Sequence, residues 1–193
     1  DADKELLWLG LHLGGLCKFD VRTSKFTRYK SLKPDWEQSD IVRAIVPYNG
    51  KLIVGTYNGI FLFDPNTERF ELFSEKLNKV VSFAVDVKLD AENNVWIAGN
   101  GLHRFNPRTT KIDTFINNPT DSNSLGNNNV VKLLMTKDNK IWVATGGGGV
   151  NLLDIKTQKF RRFNNKTAGL KNNYVSNIIE SSFGYLIIST TQG

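Results

Sequence analysis

The sequence has 193 residues, of which 40% are hydrophobic and 23% charged, the composition of an ordinary globular protein with one or two domains. The 12 phenylalanines, 4 tryptophans and 16 glycines against 1 methionine favour strands and tight turns over a helical bundle, and no apolar stretch is long enough for a membrane-spanning helix. Although the net charge is +6, the basic residues are spread along the chain as on solvated strand faces, so we expect no nucleic-acid binding by this segment.

The residues that most often hold metals are scarce. Cys17 is the only cysteine, so it cannot form an internal disulfide, and we expect it to be a small core residue. His12 and His103 are the only histidines and fall in different parts of the chain. The sequence therefore predicts neither a metal site nor a cofactor.

A motif with a central Trp or Ile occurs five times along the chain, at spacings of 43 to 46 residues: Trp8, Ile53, Trp96, Trp142 and Ile187. Each of the first four copies is followed by a second motif, an apolar residue and then Asp or Asn: Phe19-Asp20, Phe63-Asp64, Phe105-Asn106 and Leu153-Asp154. Two apolar residues three positions apart then end each of these copies. The chain is therefore predicted to consist of repeated structural units.

Each full copy predicts four short strands. In the fourth copy these are Val130 to Met135, Lys140 to Thr145, Val150 to Asp154 and Lys159 to Phe163, separated by turn residues. Four strands in such a period are typical of a β-propeller blade. The sequence thus predicts an all-β fold, a β-propeller fragment of about four to five four-stranded blades. Its repeat units are expected at about 1–30, 41–73, 84–115, 130–163 and 175–193.

The first and last units are shorter than the others. The first lacks a predicted first strand, and the fifth stops where its third strand would begin. We therefore expect a propeller fragment that is incomplete at both ends. Such ends would expose apolar sheet faces and strand edges, so self-association is expected.

The fourth unit contains Asn129 to Leu134, then Asp138 to Thr145, then Gly149 to Asp154, and the first unit contains Leu7-Trp8-Leu9-Gly10 and Gly14 to Asp20. These segments resemble the two-component regulator propeller repeat, whose consensus runs roughly N-x-V-x-x-I, D-x-x-G-x-L-W-I-G-T and G-G-L-x-x-F-D. The resemblance covers essentially the whole chain. It is specific for the repeat and far less specific for a ligand.

Such repeats form the extracytoplasmic sensor region of hybrid two-component system histidine kinase/response regulator proteins, which often regulate the use of complex carbohydrates. The resemblance implies that residues 1–193 are part of one β-propeller sensor domain, periplasmic and within an inner-membrane-anchored protein. It implies an oligosaccharide ligand. It also implies that the partners are the remaining propeller blades and the kinase portion of the same polypeptide.

The recurring acidic residues favour structure over catalysis. Because Asp20, Asp64 and Asp154 occupy the same place in successive units, with Asn106 in the remaining copy, we interpret them as turn caps. Glycoside cleavage needs two carboxylates flanking one bond, and no such pair rises above the repeat. We therefore expect a non-catalytic segment, with a propeller scaffold for protein contacts as the alternative and a propeller lyase or glycosidase as the less favoured one.

A ligand site in a repeat protein needs residues that differ between units. In a propeller, the loops between the second and third strands of a blade share a face with the loops between blades. The candidate ligand residues from these loops are Trp36, Tyr57, Asn58, Asn100, Asn128, Asn129 and Tyr174. Trp36 has no counterpart in the other units and could stack on a sugar, or could simply pack its own loop.

The innermost strands supply a second set of candidates. Counting back ten residues from the Trp position places Arg43, Asp86, Lys132 and Asn177 at one equivalent, polar position. Arg43 and Lys132 are the two that we include as candidate ligand residues. The alternative is that these side chains are merely solvated in a central channel.

Overall fold

The computed structural model describes residues 5–29 and 41–191. Contacts divide the chain into two compact units, Asp1–Val85 and Asp86–Gly193. The strands in both units are short, and consecutive strands pair in antiparallel fashion.

The first unit contains two sheets and one short helix. A three-stranded sheet is formed by β1 (Leu6–Leu11), β2 (Gly15–Asp20) and β3 (Lys25–Tyr29). A four-stranded sheet follows, formed by β4 (Val42–Tyr48), β5 (Lys51–Thr56), β6 (Gly59–Asp64) and β7 (Arg69–Leu72). Helix α1 (Glu75–Val80) begins after Ser74, whose side chain accepts a hydrogen bond from the Leu77 N–H.

The second unit contains two four-stranded sheets and a two-stranded sheet. The first is β8 (Asp86–Leu89), β9 (Val95–Gly99), β10 (Gly101–Asn106) and β11 (Lys111–Phe115). The second is β12 (Val130–Met135), β13 (Ile141–Thr145), β14 (Gly149–Asp154) and β15 (Lys159–Phe163). The short helix α2 (Asn165–Ala168) leads to the last sheet, β16 (Val175–Glu180) and β17 (Leu186–Thr190).

Sheets of four antiparallel strands in chain order, recurring along the sequence, are propeller blades. The predicted all-β propeller fragment is therefore confirmed. The strands predicted for the fourth copy agree with the structure to within one residue at each end. The two helices were not predicted, because they are only six and four residues long and lie in connecting segments.

The recurring Asp and Asn residues cap turns, as predicted. In each of the three- and four-stranded sheets, the loop before the last strand has four residues. The capping oxygen at the start of this loop accepts backbone N–H groups two or three residues ahead. The last residue of each of these loops has a positive φ: Ser24, Glu68, Thr110 and Gln158. The cap is a local interaction, which is why it recurs wherever the sequence motif does.

Aromatic side chains dominate the core of the first unit. Trp8 lies 5.4 Å from Phe63 and 5.9 Å from Tyr29, measured between ring centroids. Tyr29 is buried, and its hydroxyl donates a 2.6 Å hydrogen bond to Glu68. Cys17 is also buried, as expected. Trp8 thus packs the first sheet against the second.

The repeat Trp serves the core of the second unit as well. Trp96 is fully buried, its ring stacks on Phe115 at 6.0 Å, and its Nε1 donates a 2.8 Å hydrogen bond to Asp90. Trp142 packs with Phe163 against a cluster that includes Val175 and Ile178. These tryptophans are therefore occupied by packing and are not platforms for a ligand.

Arg43 does not occupy the position that the sequence analysis assigned to it. Asp86, Lys132 and Asn177 do share a position, because each lies two residues before the partner of the Trp or Ile at the centre of the motif. In β4 that position is held by Ala44, and Arg43 lies at the register shift between Val42 and Ala44. The physical reason is the hairpin between β4 and β5, where Asn49 and Gly50 alone join the paired Tyr48 and Lys51. This turn is one residue shorter than the corresponding turns of the other sheets. Counting back ten residues from Ile53 therefore reaches Arg43 instead of the equivalent residue, Ala44.

Candidate functional site

Loops from neighbouring sheets of the second unit meet in one surface, which we call the loop face: Asn100, Asn127–Asn129, Gly146–Gly148 and Asn172–Tyr174. Isolated backbone bridges join Asn100 to Asn129 and Gly146 to Tyr174. The Gly146 N–H donates to the Asn129 carbonyl at 2.8 Å. Four of the candidate ligand residues, Asn100, Asn128, Asn129 and Tyr174, are thereby brought together.

Glycine allows the loop face to be this compact. A Cβ on Gly148 would lie 2.5 Å from the carbonyl carbon of Gly126 and 2.8 Å from the backbone nitrogen of Asn127. Gly147 has a φ of 127°, a conformation that other residues rarely adopt. The glycine run therefore exists to let the β13–β14 hairpin pack, backbone against backbone, on the connector that carries Asn127.

The same glycine run does not form an anion cradle. The amide of Gly147 donates to Thr145 and Asn173 carbonyls, and the amide of Gly149 donates to the Asn173 carbonyl. The Gly148 amide donates to the Thr145 hydroxyl at 3.1 Å. Since backbone N–H groups bind phosphate only when they are unpaired, this loop is built for rigidity.

The exposed groups of the loop face are one aromatic ring and several amides. Tyr174 is 57% exposed, and its ring lies beside Gly147, with the Tyr174 Cζ 3.8 Å from where a Gly147 Cβ would be. Asn129 is exposed, and its Nδ2 lies next to Gly146. A flat exposed ring flanked by carboxamides offers stacking and hydrogen bonding to a polyhydroxylated ligand.

Asn128 lies within the loop face but is occupied by structural bonds. Its Oδ1 accepts a 2.6 Å hydrogen bond from the Asn117 N–H, and its carbonyl accepts a 2.7 Å bond from the Gly101 N–H. The side chain therefore shapes the connector that presents Asn127 and Asn129.

Buried His103 contacts the backbone of Asn100, a residue of the loop face. Its Nδ1 lies 3.1 Å from the Thr114 hydroxyl, and it also hydrogen-bonds the backbone of Asn100. Burial lowers the pKa of the His103 imidazole below its ordinary value of 6.5, although the bond to Asn100 opposes the shift. We infer that the neutral imidazole is the form that fits the folded chain.

The candidates in the first unit form a separate group. The Tyr57 ring is 39% exposed, and the Arg43 guanidinium lies 5.9 Å from its centroid. Asn58 lines a cavity of about 340 Å³ together with Phe61, Leu72, Glu75, Asn78, Lys79 and Ser82. Trp36, the candidate with no counterpart in other units, lies outside the described residues.

Lys132 is engaged in an ion pair. Its Nζ lies 3.2 Å from Asp86 Oδ2, and the same carboxylate oxygen accepts a 3.0 Å hydrogen bond from the Leu133 N–H. Asp86 is only 4% exposed. This carboxylate therefore joins β8 to β12, a role that the sequence did not indicate.

Two residues that support the loop face were missed, Asn151 and Arg162. Both bond the connector of residues 116–129, which carries Asn127–Asn129. The sequence does contain a signal for Asn151. The equivalent position is occupied by Cys17 in β2, Phe61 in β6 and His103 in β10. A position that is buried yet varies between otherwise similar units indicates a role particular to one unit.

Within residues 5–29 and 41–191, no group of three or more His, Cys, Asp or Glu side chains is placed to hold a metal ion. None of the helices in the described part of the chain is long and apolar enough to cross a membrane.

Comparison with known families identifies the repeat. Residues 124–147 match the family model for the two-component regulator propeller, and they include the end of the connector, β12 and β13. This segment of the chain matches one two-component regulator propeller repeat. The resemblance seen in the sequence is thus confirmed.

Similar proteins share this architecture. Histidine kinase P4 of Formosa agariphila is 29% identical over 150 residues, which are 74% of this chain and 11% of that protein. The extracellular domain of a protein assigned as a hybrid two-component system from B. thetaiotaomicron superimposes with a TM-score of 0.73 at 25% identity, covering 96% of this chain and 24% of that one. A second such domain from that organism has a TM-score of 0.75 at 22% identity, over 96% and 25% of the two chains. The chain thus spans about a tenth of the curated relative and a quarter of each solved domain.

Proposed function

We propose that the chain is part of one propeller sensor domain of a hybrid two-component receptor, and that its loop face binds an oligosaccharide. The observation that carries the ligand class is the exposed Tyr174 ring beside Gly147, flanked by the carboxamides of Asn127 and Asn129. An aromatic ring stacks on the C–H face of a sugar while amides hydrogen-bond its hydroxyls.

The relatives support the proposal for the rest of the receptor. Histidine kinase P4 and the extracellular domains of the two-component systems support a larger polypeptide in which the propeller lies in the periplasm and relays binding to a kinase. The residues that define the loop face include no Asp or Glu, whereas glycoside cleavage needs two carboxylates, so the proposed role of this face is binding without catalysis. Within the first unit, Tyr57, Asn58 and Arg43 are proposed as a separate group of ligand contacts, because an exposed ring and a guanidinium lie side by side there.

A panel of neutral hexasaccharides of glucose, xylose, mannose and galactose, titrated calorimetrically against the 193-residue chain, tests this function. Tyr174→Ala is expected to weaken binding by about 1 kcal/mol or more, roughly fivefold, through loss of ring stacking. Phe183→Ala is the matched control, since Phe183 is 84% exposed but lies in the hairpin at the other end of the same sheet. Equal losses in the two variants, or no binding to any hexasaccharide, would refute the assignment.

Self-association and scaffolding for protein contacts are a second candidate function. One observation favours it: Ile179 and Ile187 are directly paired across β16 and β17 and are 47% and 51% exposed. Tyr185, at the end of this hairpin, is 72% exposed. Exposed apolar pairs of this kind attract a second surface. Light scattering on the intact chain and on Ile187→Lys distinguishes this role, because the variant should dissociate any assembly that uses this face.

A further inference from the structure

The connector of residues 116–129 is held by a side chain from a distant strand. Arg162, in β15, donates from Nε to the Ser124 carbonyl at 2.8 Å and from Nη2 to the Asp121 carbonyl at 2.8 Å. The same Nη2 lies 2.7 Å from the Ser124 hydroxyl. One guanidinium therefore binds several acceptors of one turn with donors on two nitrogen atoms, whereas all the donors of a lysine lie on a single atom.

A second side chain holds the connector from the core. Asn151 is fully buried, and its Oδ1 accepts a 2.9 Å hydrogen bond from the Gly126 N–H. Its Nδ2 lies 3.3 Å from the Val143 carbonyl and 3.4 Å from the Gly149 carbonyl. The amide thus fastens the connector to strand β13 and to the start of β14. Buried polar groups that are fully paired in this way specify one conformation.

The held segment runs directly into half-buried Asn127 and exposed Asn129. Leu125 is fully buried between the Arg162 and Asn151 contacts, and Asn127–Asn129 follow at once. The Asn129 N–H then donates to the Asn127 side chain at 2.8 Å. Displacing the turn at Ser124 would therefore displace the ligand groups of the loop face.

The pairing of Asn with Arg at this position occurs in one of the four sheets that can be compared. Asn151 faces Arg162 across β14 and β15, whereas the corresponding pairs are Cys17 with Arg28, Phe61 with Leu72, and His103 with Thr114. Arg28 also bonds loop carbonyls, of Leu13 and Gly14, but in its own hairpin. The Asn–Arg pair is thus particular to the connector of the second unit.

We infer that Asn151 and Arg162 are positioning residues, which preorganise Asn127 and Asn129 for an oligosaccharide without contacting it. This inference rests on the function proposed above. An ordered connector leaves less conformational entropy to be lost on binding. Affinity should then fall in proportion to the fraction of molecules in which the connector is correctly placed.

Hydrogen exchange on the ligand-free chain is the first test. Arg162→Ala is expected to raise the exchange rates of the Asn117 and Gly126 amides by about tenfold or more, since it removes charge-assisted hydrogen bonds. Amides of β13 should change far less. Arg161→Ala is the control, because that side chain is exposed and lies over the Phe163 ring. Unchanged exchange at Gly126 in Arg162→Ala would overturn the inference.

Calorimetry with the hexasaccharide that binds the unaltered chain most tightly is the second test. Arg162→Ala should weaken binding by about tenfold, with Arg162→Lys intermediate and Arg161→Ala unchanged. Should Arg162→Ala fail to fold, Arg162→Lys and Ser124→Ala give the same comparison with smaller changes. A loosened connector with unaltered affinity also overturns the inference. Absence of binding by the unaltered chain refutes the proposed function instead, so the two failures are read from separate measurements.

Discussion

Replacing Asp86 tests whether a buried carboxylate holds β8 to β12. Asp86 Oδ2 accepts the Leu133 N–H at 3.0 Å and lies 3.2 Å from Lys132 Nζ, while Oδ1 accepts the Val87 N–H at 3.1 Å. Leu133 is 1% exposed, so water cannot replace the lost acceptor. In Asp86→Ala the Leu133 amide would be left buried and unpaired.

The magnitude follows from that orphaned amide. A buried donor without a partner costs about 1 to 3 kcal/mol. The Lys132 and Lys88 ion pairs add little, because both ammonium groups are partly exposed to solvent. We therefore expect Asp86→Ala to lower the free energy of unfolding by about 2 to 3 kcal/mol. Asp86→Asn should lose about 1 kcal/mol, since it keeps an acceptor oxygen for Leu133.

Urea unfolding followed by tryptophan fluorescence measures these losses. The matched control is Glu71→Ala, which removes an exposed carboxylate that lies 2.7 Å from Lys51 Nζ. Exposed ion pairs contribute about 0 to 1 kcal/mol, so this variant should remain close to the unaltered chain. If Asp86→Ala were no less stable than Glu71→Ala, the joining role of the carboxylate would be wrong.

Two further predictions concern the loop face. Gly148→Ala should lower stability by about 1 to 3 kcal/mol, because its Cβ would meet the backbone of Gly126 and Asn127, whereas Gly146→Ala meets only the movable end of the Asn129 side chain. Thermal unfolding of both variants checks this, and an equal loss would contradict it. The lowered pKa of His103 means that the unfolded chain binds a proton more readily than the folded one, so stability should be complete above pH 6.5 and fall as pH drops below that value. In His103→Gln the unfolding midpoint should depend less on pH over this range, and an unchanged pH profile would show that another group is responsible.

The sequence alone determined the repeat and the recurring turn caps, which depend on neighbouring residues. The spacing of Trp8, Ile53 and Trp96 requires recurring units, and the strand lengths between turns require blades. The capping by Asp20 or Asp64 joins residues only two or three positions apart. Such interactions form wherever the motif occurs, so their prediction needs no knowledge of how the sheets pack.

The length of the β4–β5 turn explains why the position predicted for Arg43 is wrong. The Asn49-Gly50 turn is one residue shorter than its counterparts, so Arg43 falls beside the equivalent position and Ala44 takes it. Side chains of a strand alternate between faces, so an error of one residue changes the side on which a group lies. Counting along the sequence cannot detect this, because the turn conformation sets the register.

Only the tertiary structure assigned the long-range partners. Asn151 binds the Gly126 amide 25 residues away, and Arg162 binds acceptors 37 to 41 residues away. Asp86 reaches Leu133 across 47 residues. These bonds exist because folding brings adjacent sheets of the second unit together and buries groups that must then be paired. A repeat pattern shows that the units are alike, whereas the positions at which they differ acquire a role only from what packs against them.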